Sequence, residues 1–137
     1  MLCPVCKESM IVLELNEIEI DFCTGCSGIW LDAGELELMF DIEDQRQKLI
    51  NSLHEDPDNS EQKYRCPICN KKMVKVHVGD EKKILIDKCK KDHGLWFDKG
   101  ELKNVIEFGS KEENKIINLL KEMFESSIST NDKGENK

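Results

Sequence analysis

The chain has 137 residues and 15.8 kDa, room for one ordinary domain or two very small ones, which excludes large multidomain machinery. With 39% hydrophobic and 35% charged residues and a mean hydropathy of -0.52, it has no run of roughly 18 apolar residues to span a bilayer, so a soluble protein with no membrane partner is expected. Twenty basic against 28 acidic groups leave -8, which argues against coating nucleic acid by bulk charge.

The chain opens Met1-Leu2-Cys3-Pro4 without the basic and apolar pattern of a leader, and a reducing, cytoplasmic setting is the expectation. There, seven cysteines at CxxC spacings point to metal sites or redox dithiols rather than disulfides. Cys3-Pro4-Val5-Cys6 returns as Cys66-Pro67-Ile68-Cys69 at an offset of 63. Ile20-Asp21-Phe22-Cys23 returns as Ile86-Asp87-Lys88-Cys89, and the run Gly28 to Leu36 as Gly94 to Leu102, both at 66. The chain therefore reads as a tandem duplication with three residues inserted at a hairpin turn, Asn16-Glu17 in one copy and Gly79-Asp80-Glu81 in the other.

Each copy predicts a CxxC turn and a first strand, Met10 to Leu15 or Met73 to Val78. A second strand follows, Glu19 to Phe22 or Lys83 to Asp87, then a second ligand pair and a brief third strand through Trp30 or Trp96. The motif Asp-x-Gly-Glu predicts a capping box at each helix start, with Asp32 or Asp98 accepting from the helix and Glu35 or Glu101 reaching back. The first helix should carry Leu36, Met39, Phe40, Leu49, Ile50 and Leu53. The expected fold class is a small, metal-stabilised α+β protein: two tandem metal-binding ribbons of three short antiparallel strands, each followed by an amphipathic helix. The expected divisions are a first ribbon and helix (1–55), a linker (56–63), a second ribbon and short helix (64–109), an amphipathic helix (110–126) capped by Ser110 and Glu113, and a disordered tail (127–137).

Cys3, Cys6, Cys23 and Cys26 have zinc-site spacing, 16 residues between the pairs. A single redox dithiol in a βαβ context is the competing reading, and paired CxxC turns among short strands disfavour it. The second copy supplies Cys66, Cys69 and Cys89, but Asp92 stands where Cys26 aligns and His93 follows. Imidazole completes a Cys3His set naturally, with Asp92 the lesser candidate. Two Zn2+ are the expected cofactors, and a four-thiolate site also accepts iron. His54 and His77 read as ordinary solvated residues, Met10 and Met73 as core, and Trp30 and Trp96 as packing each over its own metal site. Four protein ligands close each coordination sphere, and the deaminase signature is absent, so no catalytic residue and no enzyme activity are expected.

The pattern CPxC, then CxxC or CxxxH, then G-[IL]-W-[LF]-D-x-G-E-L, over Cys3 to Leu38 and again over Cys66 to Val105, resembles the prokaryotic zinc-ribbon family named after the zinc finger of general transcription factor IIB. The resemblance implies a transcription-factor zinc-finger module without an established reaction, ligated by the eight residues above.

Charge divides unevenly. Residues 1–63 hold 4 basic and 15 acidic groups (-11), residues 64–110 hold 11 and 7 (+4), and residues 111–137 hold 5 and 6 (-1). Lys71, Lys72, Lys75, Lys82, Lys83, Lys88, Lys90 and Lys91 give the second ribbon a basic surface, with Lys71, Lys72, Lys82 and Lys83 the candidate phosphate contacts. The leading expectation is a non-catalytic module that binds a protein partner, with the transcription apparatus one candidate. Weak nucleic-acid binding through the basic ribbon is the second, and zinc handling or thiol redox sensing the third. The apolar stripes of the helices pack within one chain or across a homodimer.

Overall fold

Strands that alternate apolar and polar side chains bury one face against a core and leave the other for a different use. The computed structural model describes residues 1–40, 42–79, 84–110 and 115–123. Its strands are β1 (Ile11–Leu15), β2 (Ile18–Phe22), β3 (Ile29–Asp32), β4 (Leu53–Asp56), β5 (Val74–Val78), β6 (Ile84–Lys88) and β7 (Gly94–Phe97). Its helices are α1 (Glu35–Leu38), α2 (Glu43–Asn51), α3 (Glu101–Gly109) and a segment over 115–123, here α4. All seven strands join in one antiparallel sheet, ordered β1-β2-β3-β7-β6-β5-β4.

The join between the copies is β3 against β7, with Ile29↔Phe97, Trp30↔Trp96 and Leu31↔Leu95 as partners. At the repeat offset of 66, Trp96 is the counterpart of Trp30, Leu95 of Ile29 and Phe97 of Leu31. The copies are thus related by a local two-fold through the tryptophan pair, in the manner of a C2 dimer built inside one chain.

Period-two alternation assigns the faces. Leu15, Ile18, Ile20, Phe22, Ile29, Leu31, Val74, Val76, Val78, Ile86 and Phe97 point into the main core. Leu36, Leu49, Leu102, Val105, Ile106, Ile116, Ile117 and Leu120 cover them from the helices. These helical residues are buried against the sheet. Lys48 ties α2 to α3, donating to the Phe108 carbonyl at 3.2 Å and lying 4.9 Å from the centre of the Phe108 ring.

The first hairpin is a two-residue turn with Asn16 and Glu17 both left-handed (φ 52° and 68°), the type I′ geometry that matches strand twist. In the second copy the insertion lengthens this loop, and residues 80–83 lie outside the described residues, as do Glu113 of the expected capping box, Phe124 and the tail 127–137.

Several local expectations are corrected. The first helix is two, because Arg46 Nε donates to the carbonyls of Glu37 (3.1 Å) and Phe40 (2.8 Å), taking acceptors that a continuous helix would use. Phe40 turns inward over Gly109, where a methyl group would overlap its ring. Leu53 belongs to β4, which pairs with β5 (Leu53↔Val78, His54↔His77) and covers the sheet edge on the second-copy side. Ile50 is exposed at 46%. At the helix starts Glu35 does reach back, accepting from the Asp32 N–H at 2.7 Å. Asp32 and Asp98, however, accept from the indole N–H of Trp30 (2.9 Å) and Trp96 (3.1 Å). Gly34 and Gly100 hold the cap positions at φ 89° and 83°, a region that favours glycine, so no side-chain cap forms there.

Candidate metal centres

Both centres lie on the sheet face opposite the helical core. Each is made of two knuckles, tight turns that aim backbone N–H groups at sulfur. In the first, Cys3 N–H donates to the Glu8 carbonyl at 2.8 Å, and Lys7 N–H to the Cys3 carbonyl at 3.0 Å with Lys7 left-handed. The N–H groups of Val5 and Cys6 point at Cys3 Sγ, at 3.3 and 3.2 Å. The second copy repeats this with Cys66, Asn70 and Lys71, and Ile68 N–H lies 3.4 Å from Cys66 Sγ.

The donor atoms of Cys3, Cys6, Cys23 and Cys26 all lie within 4.8 Å of one another, as do those of Cys66, Cys69, Cys89 and His93. Four sulfurs at about 2.3 Å from Zn2+ in a tetrahedron have edges of about 3.75 Å. The pairs Cys3–Cys26 and Cys69–Cys89 are both 3.7 Å apart. A nitrogen at about 2.05 Å shortens a mixed edge to roughly 3.55 Å. His93 Nδ1 lies 3.4 Å from Cys89 Sγ and 4.0 Å from Cys66 Sγ. The donor sets fit two zinc ions.

The fourth knuckle explains why the ligand is His93. In the first copy Cys23 to Ser27 closes through the Ser27 N–H on the Cys23 carbonyl (2.8 Å), with Ser27 left-handed. In the second the turn closes one residue sooner, Asp92 N–H on the Cys89 carbonyl (3.0 Å), and Asp92 takes the left-handed position at φ 59°. Its carboxylate is then carried out to Lys88 at 3.3 Å, while His93 is brought in among the thiols.

Burial pushes the metal-free Cys66 thiol up to about 11, whereas the Lys71 backbone N–H holds Cys69 down to about 7. Burial also raises Cys26. A metal ion must displace these protons, so loading gains with rising pH.

Between the centres lie Trp30 and Trp96, both fully buried, in one cluster with Met10, Met73, Cys3, Cys23, Cys66 and Cys89. Each indole reaches across the join rather than staying over its own site: a methyl at Gly28 would overlap the Trp96 ring, and one at Gly94 the Trp30 ring. The glycines leave room for the exchange. The Ala33 N–H adds a bond to the His93 carbonyl at 3.0 Å, tying the first copy to the second ligand loop.

The basic surface is narrower than the sequence suggests. Lys75 is buried against Asp87 at 2.8 Å, beside the Tyr64 ring. Lys88 is held by Glu55 at 3.1 Å as well as by Asp92. Lys82 and Lys83 lie outside the described residues. Lys71 and Lys72, from one knuckle, instead meet Lys90 and Lys91, from the other. That grouping is visible in sequence only once the two knuckles are known to face each other. His77 is not solvated: its Nε2 lies 2.9 Å from Asp56 Oδ2, with the side chain 14% exposed.

A continuous antiparallel sheet with two four-ligand, knuckle-built centres defines a double zinc ribbon, a metal-binding module. The family described as transcription factor zinc-finger matches residues 2–41 and 65–107, more than half of the chain, and the chain belongs to that family. No curated protein and no solved structure matches the chain.

Proposed function

We propose that the chain is a non-catalytic interaction module in which two metal-stapled ribbons hold a rigid sheet whose β1 edge receives an extended segment of a protein partner. One observation carries this reading. β4 covers the outer edge of β5, and among the described residues no strand covers the corresponding edge of β1. An open edge is a template for strand addition, with side-chain pockets giving selectivity. Ile11 and Val12, on the two faces of β1, are 45% and 61% exposed, and Met1 and Leu2 beside them are 46% and 56% exposed. At each centre a fourth protein ligand stands at the one position that a catalytic zinc keeps open for water or substrate, which supports a structural role for both metals. The family description makes the transcription apparatus a sensible place to seek the partner.

The test is a photo-crosslinking residue at Val12 in the native host, with the same residue at exposed Asn104 on α3 as reference. The reading expects a discrete adduct from position 12 that disappears in Ile11→Lys with the fold intact. No adduct, or the same adducts from both positions, would count against it.

A further inference from the structure

Lys71, Lys72, Lys90 and Lys91 line a cavity of about 290 Å³ whose floor includes Cys89. All four are exposed, and none has an ion-pair partner among the described residues. The plain explanation is that they neutralise the metal centre. The first copy argues against that. Three thiolates and a neutral imidazole around Zn2+ carry -1, whereas the first centre, with four thiolates, carries -2. At the repeat offsets the counterparts of the four lysines are Glu8, Ser9, Thr24 and Gly25. The more negative centre therefore has no lysine at these positions and one carboxylate, so balancing the thiolates does not require the lysines.

We propose that the paired knuckles of the second ribbon form a contact site for the phosphate backbone of duplex nucleic acid, read without regard to sequence. Four ammonium groups without an ion-pair partner among the described residues, set around one concavity, suit phosphate oxygens. Phosphopeptide readers instead rely on the bidentate fork of arginine, and no arginine lines this cavity. Single-strand binders present aromatic platforms for bases, and among the described residues no aromatic side chain lines it either. Lysine, a point charge on a flexible stem, suits a regular backbone whose phosphates need not be held in one orientation. This site is independent of the β1 edge and stands or falls separately.

The experiment is fluorescence anisotropy of the zinc-loaded full chain with a labelled 20-base-pair DNA duplex from 50 to 200 mM KCl. Four phosphate contacts give a log-log salt slope of about -3.6, a roughly 150-fold loss over that range. Changing all four lysines to Gln should abolish binding at 50 mM, and changing all four to Arg should preserve it, with two zinc ions retained in each variant. The half variants K71Q/K72Q and K90Q/K91Q, one on each knuckle, should each bring the slope to about -1.8. The proposal is overturned by no duplex binding at 50 mM, by a slope that the half variants leave unchanged, or by tighter binding of a phosphopeptide or an anionic vesicle than of the duplex.

Discussion

The two ribbons keep the same frame and differ in nearly everything the frame does not need. Cysteine knuckles, the exchanged Trp30 and Trp96, their glycine partners, the indole-binding Asp32 and Asp98 and the inward faces of the strands occur in both copies. Around that frame the first copy has Glu8, Ser9, Val12, Thr24 and Gly25 where the second has Lys71, Lys72, Lys75, Lys90 and Lys91. The first ends in the open strand β1, and the second is covered by β4. Duplication inside one chain thus acts as an internal control. What is shared marks what the sheet and metals require, and what differs marks where each half was free to acquire its own surface.

The largest expected effect comes from breaking one metal centre. His93→Ala should weaken both centres through the shared sheet and leave fewer than one zinc per chain, measured by metal analysis after gel filtration, while Asp92→Ala should leave two. Next, Trp96→Ala should cost about 3–5 kcal/mol in denaturant unfolding. Because the two indoles share one buried cluster across the join, adding Trp30→Ala should cost less than the two single changes summed. Additive costs would mean that the halves are energetically separate.

The difference between Lys75 and Val12 sharpens the comparison further. Lys75→Val leaves Asp87 buried without its partner and should cost about 3 kcal/mol, much of it recovered in K75V/D87N. Val12→Lys, on the exposed counterpart, should cost under about 1 kcal/mol by the same unfolding measurement.

A pH dependence marks a further difference between the copies. Burial, with Asp98 adding to it, pushes the Glu101 carboxyl up to about 8 from an ordinary 4.5. Between those values the folded chain holds a proton that the unfolded chain has lost. This contribution is therefore complete below about pH 4.5 and is lost as pH rises through 8. Glu101 is partly exposed, so roughly 1–2 kcal/mol is expected, read as the wild-type minus Glu101→Gln difference in stability across that window.

Much of this was legible in the sequence because it is local. CxxC spacing sets a knuckle whatever surrounds it, and period-two runs such as Val74 to Val78 declare their inward face. The relation between the copies was not legible: a repeat shows that two units are alike and is silent on how they meet, so the β3–β7 join and the exchanged tryptophans came only with the structure. Lys75 in a strand reads as surface until Asp87 and Tyr64 are seen enclosing it. Leu53 continues a helical stripe in sequence, and pairing with Val78 makes it a strand. The shift from Asp92 to His93 depends on a turn that closes one residue early, a difference in hydrogen bonding that spacing alone leaves open.

The central claim is that two metal centres and one shared sheet make a single cooperative unit. Graded chelator titration, followed by native mass spectrometry for bound zinc and by tryptophan fluorescence for the β3–β7 join, tests it most directly. The account predicts one transition, in which the tryptophan signal is lost as the chain passes from two zinc ions to none. A stable one-zinc species that keeps the native tryptophan signal would contradict it.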